Sequence, residues 1–216
     1  MRVLTWNLFH GRAVPPAGHE LFAEFAAALA GWEWDVALLQ EVPPWWPGRL
    51  GAALGVDERH VLTSRNFGQV ARRFAAVRWP DAIKSNGGGC NAILARDMAI
   101  EEHRVRRLVW WPERRWMHAV RLRDGVWVAN LHTGARAAQG RAAAETLRAW
   151  AGESPAVLGG DFNVAELALP GFTRAGGNGV DQVFVARLAA EGTRVLERGS
   201  LSDHAPVLVS VMQMGR

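Results

Sequence analysis

The chain has 216 residues, 49% of them hydrophobic, with 25 Lys and Arg against 21 Asp and Glu for a formal charge of +4, and one cysteine. That size and apolar content suffice for one full core, and no stretch reads as a linker long enough to split it, so residues 1–216 are expected to form a single domain. The lone Cys90 excludes an internal disulfide and fits a reducing compartment, and no apolar run approaches the ~18 residues that span a bilayer.

In chain order, strand signals are predicted over Arg2–Asn7, Val36–Glu41, Asn91–Ala95, Ile100–Val109, Trp116–Leu122, Val126–Leu131, Ala156–Gly160, Asp181–Val185, Thr193–Glu197 and Val207–Met212. Helical spacing is predicted over Leu21–Ala30, where Phe22, Phe25 and Leu29 recur, and over Ala137–Ala151, where Leu147 and Trp150 face inward. Arg123-Asp124-Gly125 between two apolar runs reads as a tight hairpin, since Asp-Gly supplies positive φ. Strands outnumber helices, and helices follow the first strand and precede the strand ending at Asp161. The fold class is therefore α+β, two stacked sheets with helices outside.

Several of these strands end in polar residues. Leu158-Gly159-Gly160-Asp161-Phe162-Asn163 delivers a carboxylate and a carboxamide two residues apart, which alternation along an extended chain would point the same way. Thr5-Trp6-Asn7 ends in an amide, Leu39-Gln40-Glu41 in a carboxylate and Asn130-Leu131-His132 in an imidazole, while Ser202-Asp203-His204 places acid and imidazole before the last apolar run. Any one of these alone reads as a solvated strand end or a cap. Together they make an oxygen- and nitrogen-rich set without thiols, suited to hard cations such as Mg2+, Mn2+ or Ca2+. Lys84 is the only lysine, so arginine, whose fork matches phosphate oxygens, carries nearly all the positive charge. The same arginine, alanine and glycine usage is equally the coding bias of a GC-rich genome.

The ordered segments Thr5-Trp6-Asn7, Leu39-Gln40-Glu41, Asn130-Leu131-His132, Gly160-Asp161-Phe162-Asn163, Val180-Asp181-Gln182-Val183 and Ser202-Asp203-His204-Ala205-Pro206 resemble the motif set of the endonuclease/exonuclease/phosphatase superfamily, which includes deoxyribonuclease I. The resemblance runs from Asn7 to His204. It implies a four-layer αββα sandwich of two mainly antiparallel sheets with outer helices, and a site at one rim of the sheets. It implies hydrolysis of a phosphoester with the help of a divalent cation, Mg2+ first and Mn2+ or Ca2+ as substitutes. Glu41 is then expected to be the principal metal ligand, with Asn7 and Asp203 beside it. Asp161 would activate water or protonate the leaving group, Asn163 would orient phosphate or nucleophile, and His204 would pair with Asp181. His132 would be a second catalytic imidazole, as in the deoxyribonuclease I-like members, and Asn91 and Arg115 are weaker candidates for substrate contact.

Departures narrow the substrate. The chain has no tyrosine, so the phosphate-side tyrosine of abasic-site endonucleases has no counterpart, and the short Asn163–Asp181 segment leaves little room for duplex-gripping loops. The expected partner is an anionic phosphoester. A nuclease-like activity on nucleic acid is expected first, and a phosphatase, a lipid or small-molecule phosphodiesterase or a noncatalytic anion-binding module stand as alternatives. Trp45-Trp46 and Trp110-Trp111 read as core packing or as flanks of the cleft, and whether His10, Gly11 and Arg12, just beyond Asn7, contribute a phosphate contact is not decided by the sequence. A strand follows Met1 almost at once, with no leader-like run, so a cytoplasmic monomer is expected.

Overall fold

The central apolar runs become strands covered on both faces, so residues of odd and even position along them belong to different layers. A computed structural model describes residues 1–63, 68–81, 89–111 and 113–213. In order these form β1 (Arg2–Asn7), α1 (Phe22–Gly31), β2 (Val36–Val42), α2 (Pro47–Leu54), β3 (Asp57–Leu62), α3 (Gln69–Arg78), β4 (Cys90–Ala95), β5 (Ile100–Val109), β6 (Arg115–Leu122), β7 (Trp127–His132), α4 (Ala137–Ala151), β8 (Ala156–Asp161), β9 (Thr173–Asn178), β10 (Asp181–Ala186), β11 (Leu188–Val195) and β12 (Val207–Gln213). One sheet runs β11-β12-β1-β2-β4-β3 and the other β5-β6-β7-β8-β10-β9. In each sheet one pair is parallel, β1 with β2 and β7 with β8, and the other pairs are antiparallel.

Three apolar layers make this a four-layer αββα sandwich. Val3, Val36, Leu38, Ile93, Val128, Val157, Val183 and Val209 fill the space between the sheets. Leu4, Trp6, Leu39 and Leu94 turn the other way onto Phe25 and Leu29 of α1 and Leu50 of α2. Ala129, Leu131 and Leu158 meet Ala143, Ala144 and Leu147 of α4. Each fully buried large apolar side chain contributes roughly 1.5–3 kcal/mol relative to exposure.

Toward one rim the inner layer changes from valine to carboxamide. Asn130, buried on β7, donates through Nδ2 to the carbonyls of Leu39 and Ala92, both at 2.9 Å, on adjacent strands of the opposite sheet. Its Oδ1 accepts from Gln40 Nε2 at 2.8 Å, and Gln40 also donates to Thr5 Oγ1. Strict alternation would send Gln40 and Glu41 to opposite faces. The β2–β4 register instead shifts between Leu39 and Val42, and Glu41 adopts φ 49°. This bulge turns Glu41 back toward the sheet gap, at a strain of order 1–3 kcal/mol.

The two glycines before Asp161 are required by contact. A Cβ on Gly159 would lie 2.6 Å from Leu38 Cδ1, and one on Gly160, whose φ is 141°, would lie 2.0 Å from the Leu131 carbonyl oxygen. Gly160→Ala is therefore expected to destabilise the fold by about 2–4 kcal/mol through strain and overpacking. Urea unfolding measures this, and an unchanged midpoint would contradict the close approach of β8 to β7.

Four elements appear where no regular structure was predicted. β3, sequence DERHVL, is a charged edge strand, and β9, sequence TRAGGN, is an edge strand rich in glycine; neither carries an apolar alternation. α2 starts at Pro47 and is short, and α3 carries arginines and exposed apolar residues rather than a buried stripe. The last expected strand before β12 is corrected from Thr193–Glu197 to Leu188–Val195, because its outward residues Glu191 and Arg194 mask the pattern. The hairpin at Arg123-Asp124-Gly125 forms, with Gly125 at φ 87° donating to the Leu122 carbonyl. Lys84, Gly87, Gly88 and Pro112 lie outside the described residues.

Candidate active site

The parallel strands β1, β2, β7 and β8 all run toward one rim, and the antiparallel β4, β10 and β12 start there. That single fact of direction brings Asn7, Glu41, Asn91, His132, Asp161, Asp181 and His204 to the same end of the sandwich. Asp161 pairs with Asp181 in register on β8 and β10, and His132 with Asp161 on β7 and β8.

Asp161 lies at the centre, its side chain 2% exposed. Its Oδ2 accepts from Asn7 Nδ2 at 3.0 Å and stands 3.6 Å from His132 Nε2 and 4.0 Å from His204 Nε2. Glu41 lies beside it, with Oε2 3.1 Å from His10 Nε2 and Oε1 3.8 Å from His132 Nδ1. Burial, reinforced by the charges of Asp161 and Asp203 and opposed by a hydrogen bond from Asn7, pushes the Glu41 carboxyl up to about 7. Burial also holds the His132 imidazole well below its usual 6.5, so it is neutral at physiological pH.

His204 behaves oppositely. Its Nδ1 lies 2.7 Å from Asp181 Oδ2, and that hydrogen bond, helped by the charges of Asp181, Asp161 and Asp203, raises the imidazole to about 9. Its loop is pinned by the Ser202 hydroxyl, which donates to the Asn7 carbonyl at 2.6 Å and accepts from the His204 N–H at 3.0 Å. The imidazolium therefore points Nε2 at Asp161. In Asp181→Asn the His204 midpoint, followed by NMR, is expected to fall by at least about one pH unit; a midpoint still near 9 would remove Asp181 as its cause.

Asn163 differs from the alternation reading. It is exposed with φ 51°, its N–H donates to Asp161 Oδ1 at 2.9 Å, and its Nδ2 donates to the Thr133 carbonyl at 2.9 Å. It closes a local turn around Asp161 while Phe162 packs against Phe184. Asn91 is buried, donates to the Trp116 carbonyl at 3.2 Å and leaves its Oδ1 without a partner. Arg115 pairs with Glu113 at 2.7 Å, and its charge is felt by both Glu41 and His132. Asp203 is exposed at the mouth, Oδ1 3.9 Å from His204 Nε2.

His10 is the contact that the sequence left undecided. It lies in a short 3-10 turn, three residues after Asn7, and nothing in the chain's periodicity aims it at Glu41. Thr133 and Ser202, which fix Asn163 and the His204 loop, carry no signal beyond adjacency to predicted residues. Asn7, Phe9, His10, Arg12, Glu41, Asp203 and His204 line a cleft of roughly 400 Å3. Of the seven described non-glycine residues with positive φ, Phe9, His10 and Glu41 line it, and Asn163 and Ser202 hydrogen-bond to Asp161 and His204 beside it. Backbone strain concentrates at functional sites in this way.

The tryptophan pairs divide. Trp46 is buried against Phe22 and Phe25 and Trp45 is half-buried, whereas Trp110 and Trp111 are exposed.

A model of the endonuclease/exonuclease/phosphatase family matches residues 4–204. No curated protein matches the chain. Among solved structures, the endonuclease/exonuclease/phosphatase from Bacteroides vulgatus superposes with a TM-score of 0.73 at 17% identity, covering 99% of this chain and 98% of that one. The Bacteroides thetaiotaomicron mannosyl-6-phosphatase gives 0.70 at 17% identity, covering 98% and 99%. The human Nocturnin catalytic domain with bound sulfate gives 0.71 at 17% identity, covering 98% and 93%. At these identities the likeness is one of fold.

Proposed function

Because the chain belongs to the endonuclease/exonuclease/phosphatase family, whose members are phosphoester hydrolases, we propose that it is a divalent-cation-dependent hydrolase of phosphodiester bonds. The observation that supports this reading is the convergence of Glu41, His132 and Asp161 with an Asp181-held imidazolium on one cleft. Nucleic acids, lipids and small phosphodiesters share the group such a cleft would hold. Nuclease-like action is the reading the sequence favours among them, and phosphatase action is the second.

The donor set fits a hard cation. Glu41 is desolvated among Asp161 and Asp203, and a positive charge there would relieve the burial and repulsion that push its carboxyl up. Glu41 would hold Mg2+ or Mn2+, with Asn7 and Asp203 within reach. Asn7 Oδ1 already accepts from the Phe9 N–H at 2.9 Å and has one lone pair left for a cation. Asp161, Asp181 and His204 form a second group of suitable spacing, within 4.8 Å of one another. We favour the Glu41 side, because His204 and Asp181 are already engaged with each other at 2.7 Å. A bound cation would supply charge to offset that building on the phosphoryl oxygens.

The residues themselves divide the remaining work. Asp161, held by Asn7 and the Asn163 N–H and buried beside the cleft-lining Asn7 and His204, would take the proton of the attacking water. The His204 imidazolium would donate to a phosphoryl oxygen, and neutral His132 would keep the Glu41 and Asp161 carboxylates apart. Hydrolysis of plasmid DNA, single-stranded DNA, RNA, bis-p-nitrophenyl phosphate, sphingomyelin and inositol phosphates with Mg2+ or Mn2+, with His204→Ala as the blank, tests the reading. Cation- and His204-dependent cleavage of any member supports it and names the substrate class. A folded protein silent on all of them would sink it in favour of a noncatalytic anion-binding module.

A further inference from the structure

Helix α3 is amphipathic the wrong way round. Its small Ala76 is buried, lining a narrow cavity with His10 and Trp46, while Val70 and Phe74, at i and i+4, face solvent at 87% and 68% exposure, and Val77, at i+7, borders the same cavity and is 40% exposed. Trp79, which follows the helix, meets Phe74 edge to face with centroids 6.3 Å apart and is itself 53% exposed. Exposed apolar residues scattered singly need no explanation; a contiguous stripe with a tryptophan beside it does.

A second exposed group rises from the same half of the rim. β3 lies over β5 and β6 across the sandwich. The rim end of β3 is Leu62, paired with Cys90, and the rim end of β5 is Val109, paired with Arg115. Trp110 and Trp111 follow Val109 and are 58% and 71% exposed. The Arg107 guanidinium stacks over Trp110 at 3.9 Å and that of Arg114 lies 5.1 Å from it.

We propose that the outward face of α3, with Trp79, Trp110 and Trp111, is a docking surface for an anionic lipid bilayer. Charge and shape select this occupant. Arg73 and Arg78 are exposed on α3 and Arg107 near the rim end of β5, and α3 contains no acidic residue. Two copies of this face would repel each other in a symmetric contact. Val70 and Val77 have no π face, so the stripe is no stacking platform for bases. Valine and phenylalanine that enter the acyl boundary, indoles at the headgroup level and arginines toward anionic headgroups match an interfacial segment. Docked this way, the protein would hold its cleft at the headgroup layer.

Sedimentation of the full chain with vesicles of phosphatidylcholine, with and without phosphatidylserine, tests the assignment independently of activity. Binding is expected to vesicles containing phosphatidylserine and to weaken with added salt. Phe74→Ser with Trp111→Ser, and separately Arg73→Glu with Arg78→Glu, are each expected to weaken it at least about tenfold. Circular dichroism and melting should show both variants folded, since all four residues are exposed. Failure to sediment with either vesicle, or undiminished binding by both variants, would overturn the proposal. So would a dimer in ultracentrifugation, or capture of a single-stranded oligonucleotide without vesicle binding, if Phe74→Ser abolished it.

Discussion

Replacing His204 with alanine is expected to lower phosphodiester turnover at least about a hundredfold, the low end of what losing a donor aimed at the developing charge costs. The imidazole is 24% exposed and lines the cleft, and its Nδ1 contact with Asp181 leaves Nε2 for the substrate side. The substitution also strands the Asp181 carboxylate, whose side chain is 5% exposed and whose Oδ1 already lacks a partner. Stability should therefore fall by about 3 kcal/mol, as when one member of a buried pair is removed. Adding Asp181→Asn should return much of that stability and none of the turnover. The pH sign follows from the raised imidazole. Its contribution to stability is fully present below 6.5 and is lost as pH rises through about 9. Urea midpoints at pH 6 and pH 10 should thus differ more in the parent than in His204→Ala, and equal differences would refute the assignment.

Glu41→Gln should have opposite effects on activity and stability. Turnover is expected to drop at least about a hundredfold, because the amide removes the carboxylate charge that the bulge at β2 turns into the cleft to hold a cation. Stability at pH 8 should rise. An acid raised from 4.5 to about 7 on folding leaves the native state unpenalised below 4.5 and fully penalised above 7. Removing that charge is worth up to about 3 kcal/mol near pH 8 and nothing near pH 4. Mg2+ or Mn2+ should then raise the parent's Tm toward the variant's and leave the variant's unchanged, since binding to the native state alone stabilises it. A parent whose Tm ignores both cations would remove Glu41 as their ligand even if activity were lost.

The strand ends were legible because the physics that makes a strand is local. Val3-Leu4-Thr5-Trp6-Asn7 and Val128-Ala129-Asn130-Leu131-His132 show alternate residues on two covered faces, and direction of travel then gathers the ends. What alternation could not give was any departure from alternation. Glu41 and Asn163 reach their positions through left-handed residues, and His10 through a turn, none of which leaves a periodic trace. Edge strands β3 and β9 were invisible because their sequences, DERHVL and TRAGGN, carry charge or glycine where a repeating apolar face would be read. α3 was hidden because Arg72, Arg73 and Arg78 interrupt its few large apolar residues, so no wide apolar stripe marks a core-facing helix.

The Asn130 carboxamide gives the halves of the cleft a common reference frame. Glu41 and Asp161 belong to different sheets, and a layer of valines between sheets resists separation but hardly resists sliding. Hydrogen bonds from one side chain to two carbonyls on neighbouring strands do resist it, because each has a direction. The spacing of the two carboxylates is thus calibrated one layer beneath them. A change at Asn130 or Gln40 would offset one jaw of the cleft against the other by fractions of an ångström, retuning which phosphoester fits while every reacting group stayed in place.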